Sequence, residues 1–441
     1  MIAAAAPNVG GDVGVRVMIG GFFTFHILTS GLISGAGQFG PAVEFLGYIR
    51  GRRRYDRMAH GLGKFLVYYF AISSAVAFVL VTVLLVGLMG RFWGTMTRVA
   101  YWPLFLELFS FIFEVGLVYL WYYSWEPLRE HKVLHMCIGG LLMLASFLQV
   151  LMIDVVASYM LTPATDPQNL LRVMINPTEY PLQAHRIIGN LAYIGFAVAA
   201  WSGFKFLRAK DEDSRAFWDW AGSFGMLTGI ILTLFQPMVG YSYAKEIQLH
   251  SYGAWYRMML GQLSTVFLWQ MTLLGIMFLV ACVYFTRRLR RDDAPGHRLL
   301  FLITVGMVVT TLFAALPYHL AFTYADVHAA GLDKPFWEGG RINPFGAMIP
   351  YKVTALALYT LLAIAAVIWY LRGIAKVRWG NAGRGEQRLL VASVVLTAMM
   401  ITTMGFIREN GRQPYLVYGE MTRSGQQYTT GQQAPPGSLA P

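Results

Sequence analysis

The stretch "VLHMCIGGLLMLASFLQVLMIDVVASYM" (133–160) decides the fold class. It follows a charged segment, "EPLREHK" (126–132), and at 1.5 Å per residue it is long enough, as a helix, to cross a hydrocarbon core of about 30 Å. Runs of this kind recur along almost the whole chain, at roughly 16–46, 62–90, 101–123, 184–207, 217–239, 257–285, 298–323, 347–371 and 388–408, which with the first makes about ten. Lipid cannot satisfy free backbone groups, so each must be helical. The expected fold is all-α: a polytopic integral membrane helix bundle. The composition agrees, since the 441 residues are 56% hydrophobic and only 13% charged.

The charges set an orientation. "RGRRRYDR" (50–57), "EPLREHK" (126–132), "KFLRAKDEDSR" (205–215), "TRRLRRDDAPGHR" (286–298) and "RGIAKVRWGNAGRGEQR" (372–388) fall in every second connection, the pattern of cytoplasmic loops. Both termini are therefore expected outside, in a cytoplasmic-membrane protein of bacterial type. These loops account for the net charge of +12, so no nucleic-acid partner is needed. Two cysteines, Cys137 and Cys282, both in apolar spans, make no disulfide framework, and no C-x-x-C-H motif for covalent haem occurs. The expected organisation is one transmembrane domain over 1–422 and a disordered tail over 423–441, rich in Gln, Gly and Pro. No signal peptide or internal repeat is visible. The longest outer connections are expected at about 161–183, 240–256 and 324–346.

Ionisable groups within the spans point to function, because they are costly there. In "RVMIGGFFTFHILTSG" (16–31), Arg16 precedes His26 by ten residues, about 15 Å along a helix. His26 is either a packing residue or an iron ligand. In "PLFLELFSFIFE" (103–114), Glu107 and Glu114 lie two turns apart on one face, as a proton path requires, or as protonated acids in helix–helix hydrogen bonds. His185 lies near the outer end of the fifth span and Lys352 near that of the ninth. Glu409 and Arg412 close the tenth in "GFIRENGRQPY" (405–415). Six of these groups, from five helices, share one depth. Histidine and carboxylate as iron ligands, with arginine or lysine for propionates, describe a haem cluster near the outer face.

These residues resemble subunit I of the cytochrome bd-type quinol oxidases. "GFIRENGRQPY" is similar to that family's glutamate-x-Gly-Arg-Gln-Pro-aromatic motif, with Glu409 and Arg412 on its Glu and Arg. Arg16 and His26 match its arginine and first haem histidine. "PLFLELFSFIFE", "YYSWEPL" (122–128) and "LHMC" (134–137) follow its paired-glutamate helix, with the glutamates one residue closer. His185 stands nine residues after the Asn of "NP" (176–177), as the family's low-spin haem histidine does, and "GSFGM" (222–226) and "GY" (240–241) keep its spacing.

Four features depart from it. Two extra apolar spans replace the long hydrophilic quinol-binding loop, and the family's final helix is missing. Thr354 occupies the position of the low-spin methionine, with Met348, His319 and His328 the nearest substitutes. Lys352 stands at the family's arginine position.

The resemblance implies oxidation of quinol at the outer face and electron flow through haem to oxygen, with haem b, or haem d beside it, as cofactor. His26, His185 and Glu409 would serve iron; Arg16, Lys352 and Arg412 would hold propionates; Glu107 and Glu114 would carry protons. A second membrane subunit or other redox subunits would complete the complex within membrane lipid. Two alternatives stand: a bd-like electron-transfer subunit that exchanges electrons between quinone and a partner redox protein without reducing oxygen, and a haem-free transporter.

Overall fold

The computed structural model of the protein describes residues 13–315 and 350–422, apart from the side chains at 13, 15, 16, 314, 315 and 350–353. In chain order its helices are α1 (Val13–Arg50), α2 (Arg53–Val79), α3 (Gly90–Val99), α4 (Tyr101–Tyr123), α5 (Lys132–Tyr159), α6 (Leu170–Met174) and α7 (Glu179–Arg208). Then come α8 (Glu212–His250), α9 (Tyr252–Met259), α10 (Ser264–Arg291), α11 (His297–Ala315), α12 (Pro350–Gly373) and α13 (Arg384–Gly411). A short antiparallel hairpin follows, β1 (Tyr415–Val417) with β2 (Met421–Thr422). Nine of the described helices are long and apolar enough to cross a membrane. The remaining expected span coincides with α11, whose apolar stretch His297–Phe313 lies just before the described residues stop. The chain is thus the all-helical integral membrane bundle that its apolar runs predict; the connection at 324–346 and the tail at 423–441 lie outside the described residues.

Element ends differ from the hydropathy reading where helices outrun the apolar core. The connection expected over 50–57 shrinks to Gly51 and Arg52, because α1 ends at Arg50 and α2 starts at Arg53. Gly51 takes φ +60°, which a residue with a Cβ rarely adopts. α2 passes into a π-helix over Leu80–Leu88, so the apolar run is continuous helix as far as Leu88, and Met89, at φ -125° and ψ 38°, separates it from α3. The expected outer connection at 240–256 is instead the end of α8 followed by α9.

The contacts group the chain into two compact units. The first falls within Met1–Leu191, Glu246–Ala254 and Glu409–Pro441. In it α1 packs on α2 and α5, and α4 on α2 and α5. Gly37, Gly40 and Gly139 allow the close approach: a Cβ at Gly40 would come within 2.8 Å of the Trp121 ring. One apolar cluster joins Phe92, Met96, Val155, Tyr159, Val173, Val417 and Met421.

The second unit covers Ala192–Lys245 and Trp255–Arg408. Here α10, α11 and α12 pack on one another around Phe285, Tyr370, Met277 and Leu300. Backbones touch at Gly195, Gly225 and Gly229, where a Cβ on Gly225 would lie 2.6 Å from the Gly195 carbonyl oxygen. Gly225 is the second glycine of "GSFGM", so the spacing of that motif is a packing requirement. No linker marks the division between the units in the sequence.

Candidate functional site

In the first unit, a polar network at the end of α5 fixes where α7 begins. Asn176 donates to Ser158 Oγ at 2.7 Å, and the hydroxyls of Thr162 and Thr178 meet at 2.6 Å. All four residues are buried. α7 therefore starts at Glu179, and His185 falls in its second turn. The Asn176-Pro177 pair from which His185 was counted is thus the anchor of its helix.

Beside it, Arg186 forms an ion pair with Asp154 of α5. Asp154 is wholly buried and the Arg186 side chain is 28% exposed. Arg186 stands within electrostatic reach of both His185 and His26 on α1, so one cation connects the two candidate iron ligands. His26 is half-buried, and its Nδ1 is shielded from solvent with no hydrogen-bond partner among the described residues. Thr29, one turn on, donates to the His26 carbonyl at 3.0 Å and accepts from Ser73 of α2 at 3.3 Å.

Glu107 and Glu114 project from α4 toward α5. Glu107 reaches Gln149, while Glu114 is completely buried where α1, α4 and α5 meet. A Cβ on Gly37 would lie 3.2 Å from Glu114 Oε1 and 3.1 Å from Ser146 Oγ. Ser146 in turn donates to the Ser34 carbonyl at 3.3 Å, and Ser34 Oγ accepts from Asn190 of α7 at 3.4 Å. Hydroxyl and amide groups therefore run from Glu114 across α1 toward the helix of His185. The Ser34 carbonyl only accepts, so these groups form a polar seam and not a continuous hydrogen-bonded wire.

Glu409 and Arg412 pair with each other at the end of α13. Arg412 is buried to 2% exposure, whereas Glu409 is 43% exposed. The hairpin after them docks on the end of α5: the Tyr418 amide donates to the Met160 carbonyl at 2.9 Å, and Tyr159 donates to Glu420 at 3.1 Å. Burial pushes the Glu420 carboxyl above its ordinary range, partly offset by that hydrogen bond. The Gly253 amide donates to Tyr418 Oη at 3.1 Å, and Ser251 donates to the Leu161 carbonyl at 2.6 Å. The side chains of Arg16 and Lys352, and residues His319, His328 and Met348, lie outside the described residues. Thr354 is exposed on α12.

The sequence reading missed three sets of residues. Asp154 is a carboxylate within the α5 span, and the rule that singled out Glu107 and Glu114 applies to it equally. Glu179 is 1% exposed, and neither of its oxygens has a hydrogen-bond partner among the described residues. The third set surrounds Glu44, wholly buried near the Arg50 end of α1. Its carboxylate accepts from Trp121 Nε1 at 2.9 Å and Lys132 Nζ at 2.9 Å, and lies 2.6 Å from His135 Nδ1.

Among the described residues no group of three or more His, Cys, Asp or Glu side chains could hold a bare metal ion. Haem iron asks less, because the macrocycle supplies four ligands and the protein one or two. A buried imidazole nitrogen without a protein partner, a second imidazole beside a shared cation, and an Arg–carboxylate pair fit that requirement.

No curated protein matches the chain by sequence. The solved bd oxidase of Geobacillus thermodenitrificans is similar in fold, at 15% identity and a TM-score of 0.61 over 94% of this chain and 90% of that one. The family model described as cytochrome bd terminal oxidase subunit I matches residues 15–252, which include His26, Glu107, Glu114 and His185. With more than half of its length matched, the chain belongs to the cytochrome bd terminal oxidase subunit I family, as an integral protein of the bacterial inner membrane.

Proposed function

We propose that the chain is the haem-bearing subunit of a membrane quinol oxidase, with both termini on the outer face. His26 and His185 would hold haem iron and Glu409 would serve a high-spin iron at the end of α13. Arg16, Lys352 and Arg412 are the cations for propionates, and Arg412 is already fixed by Glu409. When bound, haem b, with haem d as an alternative macrocycle, supplies one-electron transfer between a two-electron quinol donor and oxygen. The quinol releases its protons at the outer face. Glu107 and Glu114 deliver protons, with Ser146 beside Glu114 and Asn190 farther along the same polar seam. A second membrane subunit or other redox subunits complete the complex.

The observation that carries this reading is the buried Nδ1 of His26, which has no partner among the described residues and lies in a stretch that the family model matches. The test is His26→Ala in the purified, membrane-inserted protein. One haem equivalent should be lost while insertion persists; unchanged haem content refutes the ligand assignment.

A second reading keeps the haems but passes electrons to a partner redox protein outside, without reducing oxygen. It is favoured by the two extra apolar spans, α10 and α11, which stand where the resembled family carries its long hydrophilic quinol-binding loop. Haem-replete protein that takes up no oxygen with quinol would select it. Protein that takes up its haems stoichiometrically also excludes the haem-free transporter.

A further inference from the structure

The pairing of Arg186 with Asp154 serves none of the roles assigned above. Asp154 has 0% exposure on α5, and Arg186, the residue after His185, reaches it across the α5–α7 contact. Glu179, the first residue of α7 and also buried, is within electrostatic reach of Asp154. Arg186 therefore pairs with one buried carboxylate, Asp154, which lies within electrostatic reach of a second, Glu179, next to the two candidate haem histidines.

Arrangements like this are expensive to build. Each charge loses its hydration, and the pair recovers that loss only while both partners are present. Well-packed apolar residues would hold α5 on α7 at least as well, so helix packing alone does not account for the pair. What apolar residues cannot supply is a fixed charge at a defined place in a medium of low polarity, where charges act over longer distances than in water.

We propose that the Arg186–Asp154 pair sets the midpoint potential of haem held at His185 and His26; this rests on the haem-binding reading above. Reduction of a ferric centre by one electron, which the quinol supplies, lowers the local charge by one unit and breaks no bond. A nearby cation favours the reduced state and a nearby anion the oxidised one. Arg186 raises the potential, and Asp154 both anchors the guanidinium and limits its effect. Neither side chain need touch iron; both are positioning residues.

The experiment is a redox titration, followed by visible absorption, of the purified full-length protein with its bound haem. Arg186→Gln should lower the midpoint and Asp154→Asn should raise it. Each should change the reduced-to-oxidised ratio at fixed potential by about tenfold, or about 59 mV for a one-electron couple. The double variant should return most of the way to the wild-type value, and Arg186→Lys, which keeps the charge, should stay close to it.

Shifts of the same sign in both single variants, or no shift in either, overturn the proposal. So does a lysine variant as displaced as the glutamine one, because a structural role would not distinguish charge from shape. Asp154→Asn leaves Arg186 able to reach solvent. Its upward shift therefore decides the matter even if Arg186→Gln does not fold, and an unchanged or lowered midpoint in that variant refutes the proposal. A wild-type preparation without a Soret band instead refutes the haem reading itself, and the proposal with it.

Discussion

Replacing Glu409 with Gln separates a structural role from a chemical one, because the geometry predicts a small structural cost. Glu409 is 43% exposed and forms an ion pair with Arg412, three residues further along the chain. Partly exposed pairs of this kind are worth about 0.2–1 kcal/mol, and the glutamine carbonyl can still accept from the guanidinium. In a chain of this size a loss of that order lowers the melting temperature by about 2 °C or less. Arg412→Ala should cost more, since it removes a side chain with only 2% exposure.

If Glu409 serves a high-spin haem, Glu409→Gln should alter the high-spin absorption bands and cut quinol-dependent turnover severely, while the melting temperature hardly moves. The assays are a reduced-minus-oxidised spectrum, haem content per protein, oxygen uptake, and thermal unfolding of the same preparation. Normal spectrum, normal haem content and normal turnover together would refute the assignment of Glu409 and reduce the pair to a helix-end contact. A large fall in melting temperature would refute the energetic reasoning.

Glu44 should behave in the opposite way. Glu44→Gln keeps one acceptor for Trp121 but loses charged hydrogen bonds worth about 1.5–3 kcal/mol. Glu44→Ala, which leaves His135 Nδ1 and Trp121 Nε1 without the carboxylate, should cost about 3–5 kcal/mol. The melting temperature should fall in that order, and an alanine variant as stable as wild type would refute the reading. Asp292, beyond the end of α10, accepts from Arg288 at 2.9 Å, from the Arg378 amide at 2.9 Å and from Asn381 at 3.1 Å. Burial alone would raise its carboxyl, but the Asn381 and Arg378 hydrogen bonds and the Arg288 charge hold it below the ordinary aspartate value of 3.8. Its folded-state pKa is thus depressed, so its stabilisation is fully present above that value and is lost as pH falls through the lowered one. Hydrogen exchange at 377–381 should accelerate over that acid window in wild type and be fast and pH-insensitive, once intrinsic exchange is corrected for, in Asp292→Asn. Identical profiles would refute the linkage.

Spans and their order were legible because burial in lipid makes hydrophobicity nearly sufficient. The ends were less so: Arg53 and Tyr243 lie in helices where turns were expected, since a helix can continue into water once its charged residues are solvated. Of the site, single residues were legible and their partners were not. His185 is visible as an intramembrane histidine, but Arg186–Asp154 joins positions 32 apart and Glu44–His135 joins positions 91 apart. Pairing across helices depends on rotation about each helix axis, which an almost uniformly apolar sequence does not encode in its periodicity.

Chain order imposes a sequence of assembly. Glu409, Arg412 and the hairpin that binds Met160 and Tyr159 belong to the same compact unit as α1 and α5, yet the whole stretch Trp255–Arg408 is synthesised between Ala254 and Glu409. During translation that unit stays open at the end of α5 until the last helix has entered the membrane. A cofactor that takes ligands from both α1 and the end of α13 can be enclosed only then, so its capture is an event of late biogenesis, and a ribosome stalled before Glu409 would leave a bundle that is inserted but immature.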